Sequence, residues 1–149
     1  MTKGDKPAKG KRKQQQSQAR VRAFVLDSQA LSLVVGGNRE LHALLSLAAA
    51  GHADVVTSPM TLIEAYDGKI PEARWNWVLS QMTVANVGEK EAKEARALLA
   101  EAGLHGHKYA IDAVLSVVAC QQPGDVTVFT SDVDDMEKLL PPTVLVKKV

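Results

Sequence analysis

Apolar residues along this chain fall into two patterns. Short runs rich in β-branched and aromatic residues have the length and composition of buried strands: "AFVLD" at 23–27, "ADVVTS" at 53–58, "TVANVG" at 83–88, "DVTVFTSD" at 125–132 and "TVLVKKV" at 143–149. Between them, apolar positions recur at helical spacing. "SQALSLVV" reads as a short helix halted by Gly36 and Gly37, and "NRELHALLSLAAAGH" as one capped by Asn38 with Leu41, Leu44, Leu45 and Ala48 on one face. Ser58 and Pro59 open a helix running through Leu62, Ile63 and Tyr66, with proline at the favoured first position. "PEARWNWVLSQM" begins another, "EKEAKEARALLAEAGL" is amphipathic with Gly103 as its stop, and "DVDDMEKLL" is short with acids in its first turn. Strands alternating with helices predict an α/β domain with a parallel sheet covered on both faces.

One helix breaks the amphipathic rule. "HKYAIDAVLSVVAC", from His107 to Cys120, is apolar on nearly every side from Tyr109 onward, which places it in the interior. Asp112 sits one turn into it, and a carboxylate is almost never buried without a partner. Lys108, four residues earlier on the same face, is the candidate for a plain salt bridge.

Composition narrows the setting. The chain has 149 residues, 46% hydrophobic but only 4% aromatic, enough for one domain with a core of Val, Leu, Ala and Ile. A single cysteine, Cys120, excludes an internal disulfide framework and a cysteine-based zinc site, and fits a reducing cytoplasm. No apolar run reaches the roughly 18–20 residues of a membrane span, and no signal-peptide pattern is present. The formal charge of +1 conceals an asymmetry. Residues 1–20 carry seven Lys and Arg against one acid, whereas 21–149 carry 11 basic and 16 acidic residues. The first segment therefore reads as a disordered basic arm, either a solvated tail or a salt-sensitive phosphate-binding segment, and the folded domain as 21–149.

In an open α/β sheet, ligands bind beyond the carboxyl ends of the strands. Asp27 closes the first strand and Asp132 the fourth. Each has an ordinary reading as the N-cap of the helix that follows. Glu64 is the only charged residue between Asp54 and Asp67, and it is either exposed or part of a site. If Asp27, Glu64, Asp112 and Asp132 converge, their repulsion must be relieved by protonation or by a divalent cation. An oxygen-only donor set suits Mg²⁺ or Mn²⁺, the chemistry of metal-assisted phosphodiester hydrolysis. His105 and His107 read as surface residues or as the rim of such a site.

The stretches "FVLDSQAL", "VVTSPMTLIEAYDG", "HKYAIDAVLSVVA" and "VTVFTSDVDDMEKL" resemble, in order and spacing, the four motif blocks of the PIN domain family over roughly residues 23–145. The likeness is greatest to VapC-type toxins, the ribonuclease halves of bacterial toxin–antitoxin pairs. The resemblance implies a three-layer α/β/α PIN-like fold, an acidic pocket binding Mg²⁺ or Mn²⁺, and cleavage of an RNA substrate. It also implies a small antitoxin protein as partner, a homodimer and a cytoplasmic location. It makes Asp27, Glu64, Asp112 and Asp132 the four catalytic acids, with Asp27, Asp112, Asp132 and Asp135 toward metal, Asp134 competing with Asp135 for that place. Ser28, Thr130 and Lys108 fall on the substrate side. The basic arm and the missing aromatic after the last acid depart from the family pattern; Met136 stands near that place.

Other acid-edged classes fit less well. An aspartate-nucleophile phosphatase needs a second Asp where Gln29 stands, a phosphoacceptor receiver needs a pair of acids before its first helix, and "VVGGNREL" lacks the Gly-Lys-Ser/Thr ending of a P-loop. A PIN-type RNA-binding or scaffold protein without catalysis is the alternative to a nuclease.

Overall fold

The computed structural model describes residues 21–149, so the basic segment 1–20 lies outside the described residues. The first strand, β1 (Arg22–Leu26), is followed by α1 (Ser28–Val35) and α2 (Arg39–Ala49), then β2 (Asp54–Thr57). Helices α3 (Pro59–Glu64) and α4 (Glu72–Leu79) lead to β3 (Thr83–Val84). Helices α5 (Glu89–Ala102) and α6 (Gly106–Cys120) return the chain to β4 (Asp125–Thr130), and α7 (Val133–Leu139) precedes β5 (Leu145–Lys148).

The five strands are all parallel in the order β3-β2-β1-β4-β5, with β1 at the centre. The chain winds outward from β1 to β3, then crosses to the other side of β1 for β4 and β5. The order therefore reverses beside β1, which opens a crevice between the carboxyl ends of β1 and β4.

Strand alternation assigns each residue to a layer. Leu26 of β1 packs with Ala30, Leu31, Val34 and Val35 of α1, Leu41 and Leu45 of α2, and Trp75 and Val78 of α4. Ala23 and Val25, on the other face, pack with Val126 and Val128 of β4, Leu115 and Val118 of α6, and Met136 of α7. A third cluster joins Ala95 and Leu99 of α5 to Ala113 and Val117 of α6 and Leu139 of α7. Each fully buried Val or Leu in these layers contributes about 1.5–3 kcal/mol of apolar transfer energy. The three-layer α/β/α architecture is the one that the hydrophobic pattern predicts. Met136 is fully buried in the second of these clusters.

Gly124 sets the start of β4. Its φ is +75°, and a Cβ there would lie 2.3 Å from the Val21 carbonyl oxygen, which accepts from the Asp125 amide at 3.0 Å. Only glycine lets the two chains approach so closely at that φ. At the other end of α1, the Arg74 guanidinium donates to the Val35 carbonyl and binds α4 to α1.

Three expectations need correction. The strand at 83–88 is only Thr83–Val84, because the Gly88 amide turns to the Glu91 carboxylate (2.9 Å) to cap α5. The helix opened by Pro59 ends at Glu64, and Ile63 (72%) and Tyr66 (69%) are exposed. A helix of six residues is too short to turn every apolar side chain inward. Finally, α6 is not interior along its whole length: His107, Lys108 and Ala110 are exposed, Asp112 is half-buried, and continuous burial begins only beyond Val114. Cys120, expected inside, is exposed at its far end.

Candidate active site

The carboxyl end of β1 delivers Asp27 into the crevice. Its side chain is 6% exposed and both of its oxygens are engaged. Oδ1 accepts from the Ala30 amide at 2.8 Å, which caps α1, and Oδ2 accepts from the Ser131 amide at 3.1 Å, just beyond β4. The Asp27 amide in turn donates to the Phe129 carbonyl at 3.1 Å. One aspartate thus caps a helix and clamps two strand ends far apart in sequence. Beyond β4, the buried Thr130 hydroxyl accepts from the Asp132 amide at 3.0 Å. Asp132 Oδ1 accepts from the Asp135 amide at 3.2 Å and so caps α7. The N-cap readings of Asp27 and Asp132 are both correct. Neither excludes a second role, because a carboxylate has about four lone-pair positions.

Replacing Asp27 by Asn is expected to destabilise the fold by about 1–2 kcal/mol, since an amide cannot accept at both ends from Ala30 and Ser131. Urea unfolding checks this, and a loss below about 0.5 kcal/mol would show the clamp to be unimportant.

Glu64 ends α3 facing the start of α1, where the Ser28 hydroxyl donates to its Oε1. Asp112 stands on α6, which packs against α3. Its carboxyl is pushed up to about 6, first by burial and then by the negative charges of Glu64, Asp27, Asp135 and Asp132. Four carboxylates from three other parts of the chain therefore act on Asp112 across the crevice. Among the described residues no ion pair joins Lys108 to Asp112; the Lys108 ammonium lies 5.0 Å from the centroid of the Tyr109 ring. It is held above its usual range by Tyr109, with the charges of Asp135 and Asp132 adding to this. The plain salt-bridge reading of Asp112 is thereby corrected: the Lys108 ammonium lies beside Tyr109 instead.

Asp132 and Asp135 behave as a pair. The backbone amide and side chain of Asp135 hold Asp132 below the ordinary range, while hydrogen bonding to Asp132 and burial raise Asp135. Lys138 stands 3.7 Å from Asp135 and partly offsets the rise. Asp134 is exposed, as are His105 and His107.

Mg²⁺ or Mn²⁺ fits this donor set in kind, since every donor is a carboxylate or hydroxyl oxygen and the charge is in excess. The geometry is open: among the described residues, no three His, Cys, Asp or Glu side chains are arranged to hold a metal ion. The acids converge as charges without closing as ligands.

A buried hydroxyl cluster behind the site was missed in the sequence. Thr57, Ser58 and Thr61 are at most 1% exposed. Ser58 Oγ accepts from the Met60 amide at 3.0 Å, and Thr61 Oγ1 donates to the Ser58 carbonyl at 2.6 Å. The signal was the hydroxyl spacing in "TSPMT", which reads equally well as a capping box and nothing more.

A central β1, a crevice beside β4 and carboxylates at both strand ends make an acid-edged α/β/α domain. No family model matches the chain, and no curated protein matches it significantly. Solved structures do. A chain of the VapBC2 complex from Rickettsia felis, bound to a DNA fragment from its promoter, superposes with a TM-score of 0.61 at 13% identity, covering 85% of this chain and 98% of its own. A chain of a toxin–antitoxin complex from Klebsiella pneumoniae gives 0.62 at 22% identity, covering 82% and 95%. At such identities the likeness establishes the fold.

Proposed function

We propose that this chain is a Mg²⁺- or Mn²⁺-dependent endoribonuclease, the toxin of a toxin–antitoxin pair. The observation that carries the reading is Asp112, a carboxylate with no ion pair among the described residues, pushed up to about 6 by burial and by four other acids. Such a cluster is unfavourable in its fully ionised form unless a cation occupies it, and strongly perturbed acids in a cleft mark functional sites. The shared fold with chains of two toxin–antitoxin complexes supports the biological role.

Asp27, Asp112, Asp132 and Asp135 would hold the ion. A divalent cation there supplies charge neutralisation at a phosphate and a more acidic water. Asp27 is already oriented by the Ala30 and Ser131 amides, so it offers its remaining lone pairs in a fixed direction. Glu64, held by Ser28, would position the ion together with its bound water, so its placement bears on metal affinity as well as on rate. Thr130 fixes the turn that presents Asp132, and Lys108 supplies positive charge on the rim for a substrate phosphate. The protein would work in the cytoplasm as a homodimer bound by a small antitoxin. Among the described residues no helix is long and apolar enough to cross a membrane.

A second reading, RNA binding without catalysis, is favoured by the open geometry of the acids. One assay separates the two. Cleavage of a mixed RNA substrate is expected with Mg²⁺ or Mn²⁺, lost with EDTA and lost in D112N. Cleavage that persists with EDTA would overturn the metal site, and binding without cleavage would establish the second reading.

A further inference from the structure

We infer that Thr57 and Thr61 are positioning residues that set where Glu64 stands relative to Asp27; this rests on the nuclease reading above. Helix α3 has six residues, Pro59–Glu64, and no length of its own to define its direction. Packing against α1 and α6 holds it in place, and side-chain hydrogen bonds fix it at its two ends. At the first turn, Thr61 Oγ1 accepts from the Ser58 amide at 3.2 Å and donates to the Ser58 carbonyl at 2.6 Å. Thr57 Oγ1 donates its one proton to the Leu26 carbonyl at 2.8 Å and so accepts from the Thr61 hydroxyl, which shares its own proton between Thr57 Oγ1 and the Ser58 carbonyl. At the last residue, Glu64 accepts from the Ser28 hydroxyl.

Leu26 and Ser28 are the two neighbours of Asp27. The contacts therefore form a closed circuit: from the Leu26 carbonyl through Thr57 and Thr61, along one turn of α3 to Glu64, and through Ser28 back to Asp27. Thr61 lies three residues before Glu64, one helical turn beneath it. Both threonines are 0–1% exposed, so neither can touch a substrate and neither hydroxyl finds water as a substitute partner. A valine at either position keeps the shape and opens the circuit. A shift of α3 by a fraction of an ångström then moves Glu64 with respect to Asp27, and misplacement of about 1 Å costs up to ~10²-fold in rate.

The test is a cycle of variants with RNA cleavage as the first readout. T57V and T61V are expected to lower kcat about ten- to a hundredfold with KM unchanged, and T61S to restore it. In an E64Q background, T61V is expected to cause no further loss, because Thr61 acts through Glu64; independent, multiplying losses would overturn the inference by showing a general structural role. Thermal unfolding establishes that the variants fold, and T61A replaces T61V in the same comparison if the valine does not. Wild-type kcat in T57V and T61V, with D112N inactive, overturns the positioning role and leaves the nuclease reading standing. Wild-type RNA cleavage no greater than that of D112N overturns the nuclease reading instead. Positioning is then decided by the same cycle read on Mn²⁺ affinity from water-proton relaxation. There, a loss in T61V that disappears in E64Q supports it, and equal affinity in all variants overturns it.

Discussion

Replacing Asp112 by Asn is expected to stabilise the protein at pH 7 while abolishing cleavage. The Asp112 carboxyl is pushed up to about 6 by burial and by Glu64, Asp27, Asp135 and Asp132. Among the described residues its carboxylate accepts no hydrogen bond that Asn would forfeit. The folded state binds this proton more tightly than the unfolded state does. Stability from this group is therefore full below about pH 4 and declines as pH rises through 6; above that the ionised side chain is a net cost. The shift corresponds to about 3 kcal/mol at 1.36 kcal/mol per unit, which solvent screening of this half-buried group reduces to about 1 kcal/mol. Asn removes that cost, so the unfolding midpoint at pH 7 should rise by about 3–5 °C. The difference between the two proteins should vanish near pH 4. Cleavage should fall at least ~10³-fold, an instance of stability given up for function. A D112N protein that melts below wild type at pH 7 would mean that the carboxylate is paired, and the proposed site would lose its central member.

Addition of Mg²⁺ or Mn²⁺ is expected to raise the unfolding midpoint of the wild type and leave D112N unmoved. An ion that binds only the folded state stabilises by about 2.7 kcal/mol at a hundredfold excess over its dissociation constant. The open arrangement of the acids implies that binding draws them together, so part of the affinity is spent on ordering side chains. Protons compete with the ion for the same oxygens. Since Asp112 takes up its proton near pH 6 in the free protein, stabilisation by metal should weaken steadily below that pH. Differential scanning fluorimetry at pH 5 and 7.5, with EDTA as the reversal, measures the effect. Equal midpoints with and without metal at pH 7.5 would overturn the carboxylate site as a cation site.

Much of this molecule was legible as pattern. The strand and helix segments followed from local chemistry: β-branched runs, the N-caps Asn38 and Ser58, and the Gly103 stop each act within a few residues of chain. The candidate acids could be named for the same reason, since Asp27 and Asp132 stand where strands end. Their partners could not. The Ser131 amide on Asp27 and the Ser28 hydroxyl on Glu64 come from remote parts of the chain, and no periodicity encodes a contact between segments. Lys108 shows the same limit from the other side: helical spacing made it a partner for Asp112, yet its ammonium lies beside Tyr109 and toward Asp135 and Asp132.

The sequence by itself determined the α/β class, most of the elements and which acids were candidates, because these depend on side-chain chemistry and short-range periodicity. Only the tertiary structure decided that β1 lies between β2 and β4, which opens the crevice. It alone decided that Asp112 is half-buried at that crevice rather than sealed in a core. The physical reason is that strand order and burial arise from packing of the whole chain, and the charges that raise Asp112 act through space, across 85 residues from Asp27.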